Sequence, residues 1–159
     1  MSDNFEEREE QSSDLDGRYL LFRIADSLYG VVLALVLEII QIQSITKLPC
    51  VAPYVKGIIN LRGKVVPVVD VRQKMKLPEK PHDAETCIIV LEIQNMHIGL
   101  IVDSVCEVIR VESDSLATPP NTGDAAGCYL SSISEIGGKA VLNIDFERFF
   151  QDDIDIVKV

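Results

Sequence analysis

Slid against itself by 69 residues, the first half of this chain falls on the second, which requires a duplicated fold. Residues 20–40 land on residues 89–109. Ile24 meets Ile93, Gly30 meets Gly99, Val36 meets Val105, Glu38 meets Glu107 and Ile39 meets Val108. Asp26 meets Asn95, both at presumed turns. A second match needs an offset of 75: Gly63-Lys64 meets Gly138-Lys139, Val66 meets Val141, Val69 meets Ile144 and Asp70 meets Asp145. Each half therefore reads as a hairpin, a Val-x-Glu-Ile/Val segment, a long connection and a second hairpin. Two related barrel-like units of roughly 60 residues bury little core alone, so they are expected to stabilise each other across a shared apolar interface.

Turn chemistry places four hairpins. Residues 20–24 and 28–33 flank Asp26-Ser27; residues 58–61 and 64–69 flank Arg62-Gly63. Residues 87–93 and 96–102 flank Gln94-Asn95, and residues 133–136 and 139–144 flank Gly137-Gly138. Pro67 inside a strand-like run implies an edge or a bulge. Only residues 71–75 and 145–150 have the makings of short helices. Residues 34–42 form a continuous apolar run that does not discriminate helix from strand. The expected architecture is all-β, with a first unit over about 19–82, a second over about 86–150, and strands free to exchange between them.

The net charge of −10 is concentrated at the ends. Residues 1–16 carry −6 and residues 151–159 carry −2, so both read as acidic tails around a domain at 17–150 that also carries −2. Residues 56–80 hold seven Lys or Arg against Asp70 and Glu79, with one aromatic, Tyr54, beside them. That is too small a patch for a phosphate backbone, and nucleic acid is not an expected partner. No apolar run is long enough to span a bilayer, and the start is acidic rather than a basic-then-apolar leader. Cys50, Cys87, Cys106 and Cys128 lie 19 or more residues apart, which fits reduced thiols in a cytoplasm.

Catalytic chemistry is scarce. His82 sits in a loop and His97 near a strand start, neither with a Cys or His at ligand spacing. No nucleophile elbow or phosphate-binding glycine loop is present. Asp70, Asp103 and Asp145 end or follow strands, where a capping or turn carboxylate is expected. Cys106 reads as inert packing. Neither an enzyme nor a cofactor is expected. A hydrolytic or ligand-binding barrel would have to bring Asp70, Asp103 or His97 together around a cleft.

What remains is surface for other proteins. Either some of Val32, Leu35, Val36, Leu37 and Ile39 reach the surface, or both faces of that segment are buried between the units. Arg62 occupies a hairpin tip where the turn needs Gly63 and nothing calls for arginine, and an exposed guanidinium is a frequent interaction anchor. Glu38, within an apolar run, should face solvent or pair with a base, Arg62 being a candidate.

These residues carry a resemblance. Tyr19-Leu20-x-Phe22-x-Ile24, Tyr29-Gly30-Val31, Val36-x-Glu38-Ile39, Ile45-Thr46-x-Leu48-Pro49 and Pro53-Tyr54-Val55-Lys56-Gly57 resemble the CheW family of bacterial chemotaxis coupling proteins. So do residues 60–70, Asn-Leu-Arg-Gly-Lys-Val-Val-Pro-Val-Val-Asp, and the Gly99–Val108 stretch. The resemblance runs in order over about residues 18–150. It implies two five-stranded SH3-like barrels sharing a hydrophobic core. It also implies a non-enzymatic cytoplasmic scaffold that reaches the membrane only through receptors. Its partners would be a chemoreceptor's cytoplasmic tip, the regulatory domain of a CheA-type histidine kinase, and further copies of itself in arrays. Output to twitching motility or another kinase pathway is compatible with the same scaffold. By position, Val36, Glu38, Ile39, Gly57 and Arg62 are the expected partner-binding residues. Asn143 departs from the family pattern, which places an apolar residue there, and the connection over 115–132 is irregular.

Overall fold

The computed structural model describes residues 17–111 and 129–150; both acidic tails and most of the 115–132 connection lie outside the described residues. The strands are β1 (Arg18–Ile24), β2 (Ser27–Val32), β3 (Val36–Gln41), β4 (Val55–Leu61), β5 (Lys64–Asp70), β6 (Cys87–Ile93), β7 (Met96–Val102), β8 (Ser104–Arg110), β9 (Leu130–Ile136) and β10 (Lys139–Ile144). A 3₁₀ turn at Leu33–Leu35 joins β2 to β3, which settles the ambiguous run as strand. The short helices α1 (Val71–Lys74) and α2 (Phe146–Phe149) follow β5 and β10.

Sequence order and sheet order differ. One five-stranded sheet runs β8-β1-β2-β10-β9 and the other β3-β6-β7-β5-β4, so the two halves of the repeat exchange hairpins. Parallel ladders stitch each exchange: Val68 to Asp70 pair with Gly99 to Ile101, and Val141 to Asn143 pair with Leu28 to Gly30. This is the all-β, two-subdomain SH3-like architecture.

Strand alternation then sorts side chains into two cores. On β6, Ile89, Leu91 and Ile93 enter a core shared by both sheets, with Phe22, Val31, Leu100 and Phe146. From the other face, Ile88 and Val90 fill the second sheet's own interior with Ile59, Val66, Val68 and Ile101. Strands buried on both faces explain why β6 and β7 read as unbroken apolar runs. Each such Ile or Leu contributes about 1.5–3 kcal/mol. Without the exchange, those faces would be exposed.

The repeat is visible atom by atom. Asp70 caps α1 by accepting from Arg72 N, and Asp145 caps α2 by accepting from Glu147 N and Arg148 N. Asp70 N bonds Tyr54 O at 2.8 Å and Asp145 N bonds Tyr129 O at 2.7 Å, again 75 residues apart.

Three local expectations are corrected. The first hairpin turns at Ala25-Asp26 rather than Asp26-Ser27, since Ile24 pairs Ser27 and the Asp103 carboxylate holds the Ala25 N–H at 2.9 Å. Pro67 lies in an inner strand, at neither an edge nor a bulge. Its neighbour Ile58 turns its hydrogen-bonding groups to Thr46, and the ladder to β7 begins only at Val68. Cys106 is exposed rather than packed: β8 bulges against β1 between Val105 and Val108, leaving Cys106 and Glu107 facing outward.

Candidate functional site

The mouth of the second sheet's barrel brings together two of the five residues singled out for partner binding, Glu38 and Arg62. β3 starts it: Glu38 lies opposite Val90 and shares the barrel-facing side with Ile40, while Leu37 and Ile39 point out, 45% and 43% exposed. The β4–β5 hairpin closes over this edge. Arg62 NH2 meets Glu38 Oε2 at 3.0 Å, the guanidinium almost wholly exposed and the carboxylate mostly covered. Leu37, Glu38, Leu61, Arg62, Lys64, Val66, Val90 and His97 enclose a cavity of about 300 Å³.

Arg62 itself takes φ +53°, followed by Gly63 at +83°. That is the backbone of a primed hairpin turn, which glycine and asparagine occupy more easily. Arginine in the left-handed region costs about 1 kcal/mol. Asn60 steadies the turn by accepting from Gly63 N at 3.1 Å, so Arg62 is not needed to hold it. An ion pair this exposed contributes about 0–1 kcal/mol; its effect is to aim the guanidinium.

The other named residues divide. Ile39 presents on the outer face of β3. Val36 leans into the shared core and supports the strand from behind. Gly57 is buried, not part of the surface: with φ +145°, a Cβ there would lie 2.0 Å from Thr46 O. Its small size lets the Thr46 segment pair with Ile58, which gives this glycine a structural role. Sequence reasoning passed over Val65, 62% exposed beside the same hairpin tip, although its alternation with buried Val66 signalled it.

The basic run at 56–80 dissolves into separate pairs. Lys56 meets Glu79, Arg72 meets Asp103, Lys80 meets Asp83, and Lys74 lies 4.3 Å over the Tyr54 ring. Of the three groups a catalytic cleft would need, Asp70 and Asp103 line one small recess of about 10 Å³, each already engaged in the fold, and His97 lies elsewhere. Asp70 caps α1. Asp103 accepts from Arg72 Nε at 2.8 Å, from its NH2, and from Ala25 N. His97 lines the barrel mouth instead. Burial raises the Asp103 pKa, but the Arg72 and Ala25 hydrogen bonds and the Arg72 charge outweigh it and hold the carboxyl below its usual range. Among the described residues there is no group of His, Cys, Asp and Glu able to hold a metal, and no helix long and apolar enough to cross a membrane.

A double SH3-like barrel with a charged, apolar-rimmed mouth offers a surface suited to binding another protein. The comparisons with known proteins agree. The CheW-like domain model matches residues 18–153. The crystal structure of the scaffolding protein TtCheW from Thermoanaerobacter tengcongensis superposes with a TM-score of 0.79 at 32% identity, covering 85% of this chain and 92% of that one. Chemotaxis protein CheW of Bacillus subtilis is 35% identical over 103 residues, 65% of this chain and 66% of its own. Chemotaxis protein CheW of Treponema pallidum is 24% identical over 143 residues, 87% of this chain and 84% of its own. The chain belongs to the CheW family, and it is a chemotaxis-type signalling adaptor rather than an enzyme.

Proposed function

We propose that this adaptor joins the cytoplasmic tip of a chemoreceptor to the regulatory domain of a CheA-type histidine kinase, with the receptor seated at the Glu38–Arg62 mouth. One observation carries the reading: an arginine is kept at a strained hairpin tip that does not need it, aimed by Glu38 beside exposed Leu37, Ile39 and Val65. A guanidinium framed by aliphatic side chains suits a helical tip that offers both a carboxylate and an apolar stripe. The kinase occupies a separate face. Several modest contacts repeated through an array, further copies of this chain included, gain strength by effective concentration. The protein then works in the cytoplasm, at the inner membrane face where receptors hold it.

Calorimetric titration with a receptor-tip hairpin and, separately, with the kinase regulatory domain tests this. Binding to both, from one molecule of adaptor at once, is the expected result. Binding to neither, with both partners folded, leaves the fold standing and removes the coupling role.

A further inference from the structure

We infer that residues 78–86 form a hinged strap over the Arg72–Asp103 ion pair, latched by Lys56 and Glu79, and that opening the strap loosens the junction between the two barrels.

The ion pair sits where the chain crosses between sheets. Arg72 comes from α1, behind β5 of the second sheet, and Asp103 stands between β7 of that sheet and β8 of the first. Arg72 Nε donates to Asp103 Oδ1 at 2.8 Å and Nη2 donates to Oδ2. Asp103 Oδ2 also accepts from Ala25 N at 2.9 Å, in the first sheet's β1–β2 turn. One carboxylate therefore holds both barrels.

The strap supplies the cover. A recess of about 10 Å³ against the pair is lined by Asp70, Arg72 and Asp103 below and by Lys80, Pro81 and His82 of the strap. That volume is at the lower limit for a single water. On the strap's other side lies a recess of about 630 Å³, which Lys80, Pro81 and His82 line as well. Residues 80–82 are thus the wall between a wide recess and the ion pair, whose side chains are both only 13% exposed.

The strap is firm at its ends and weakly held between them. Leu77 N donates to Arg72 O at 2.8 Å, and Arg72 Nη1 donates to Pro78 O at 2.8 Å. At the far end Asp83 N donates to Thr86 Oγ1 at 2.9 Å, and Glu85 N to Asp83 Oδ1 at 2.8 Å. The Lys80–Asp83 pair lies within the strap and ties it to nothing else. Among the described residues, 79–82 make no backbone hydrogen bond, and their one ion pair to the rest of the fold is Lys56 Nζ with Glu79 Oε1 at 3.5 Å. The Glu79 side chain is 69% exposed, so this latch is weak and is screened by salt. Fixed ends around a weak middle allow local opening without unfolding. When the strap is shut, water competes poorly for Arg72 and Asp103; when it opens, both charges rehydrate and their hold across the junction weakens.

The test follows exchange of the Arg72 Nε–H with water by NMR in the full chain, against a free arginine standard. Raising NaCl from about 50 to 500 mM should quicken this exchange about threefold in the unmodified protein. Glu79→Gln should reach the fast rate at low salt and lose the salt response. Pro81→Gly, which removes the ring that lines both recesses, should quicken it further, with the core amide of Leu100 unchanged throughout. In a double-mutant cycle read by urea unfolding, the Arg72–Asp103 coupling should fall at least twofold on the Pro81→Gly background. An Arg72 Nε–H rate that Glu79→Gln and Pro81→Gly both leave unchanged overturns the inference. So does a rise that Leu100 matches, because it marks general unfolding rather than a moving strap.

Discussion

Asp103 grips Arg72 through both carboxylate oxygens at the point where the chain leaves one sheet for the other. Arg72 comes from α1 behind β5, Asp103 lies between β7 and β8, and the same carboxylate holds the Ala25 N–H in the β1–β2 turn. Arg72 also donates to Pro78 O at 2.8 Å. Both charged side chains are only 13% exposed, so this pair ties the two barrels together where water competes poorly. Removing one partner strands the other. Asp103→Asn or Arg72→Ala should therefore cost about 3 kcal/mol in urea unfolding, with the Glu38–Arg62 mouth untouched.

The same pair sets an acid limb. The folded-state pKa of Asp103 is depressed, so its contribution is full above the unfolded carboxylate value, about 3.9, and is lost as pH falls through the lower folded value. A stability profile should drop in acid for the unmodified protein. In Asp103→Asn that share of the drop should vanish, leaving a lower but flatter curve; equal slopes would show that Asp103 does not govern it.

Inside the first barrel, Asn143 fills the space above Gly30. A Cβ on Gly30 would lie 2.3 Å from Asn143 Oδ1, while Asn143 Nδ2 donates to Ser132 and Ser134 at 3.0 and 2.8 Å. The repeat partners in the second barrel are Val68 and Gly99, packed among aliphatics. Gly30→Ala should destabilise by about 2 kcal/mol, and Asn143→Ala should recover at least half of that in a double-mutant cycle. Simple additivity would mean the two residues do not meet.

Gly57→Ala should abolish coupling by a different route. The methyl would strike the Thr46 carbonyl, and the backbone at φ +145° resists any side chain. Melting temperature and coupling are expected to fall together. Lost coupling with an unchanged melt would return Gly57 to the contact surface.

Much of this was legible in the sequence because duplication leaves a record in pairs. The hairpin tips at Arg62-Gly63 and Gly137-Gly138, the caps Asp70 and Asp145, and the Glu38–Arg62 pairing all followed from spacing and turn chemistry. The exchange of hairpins carried no such mark, because each parallel junction involves three residues per strand and leaves no local pattern. Cys106 misled for a related reason: a bulge shifts the alternation by one, and nothing within β8 announces it. Gly57 was named by resemblance alone, because its structural demand arises from Thr46, eleven residues away in sequence and in contact only after folding. Residue type likewise could not show that Arg62 itself, and not Gly63 alone, occupies left-handed space.

That strain provides the most direct test of the central claim. Arg62→Gly removes the guanidinium and relieves the backbone, so it separates function from folding. The account predicts a melt that is unchanged or raised, by up to about 1 kcal/mol, together with receptor-tip binding weakened about thirtyfold and kinase-domain binding preserved. Receptor-tip binding that survives Arg62→Gly at full strength would contradict it and move the docking surface elsewhere on the double barrel.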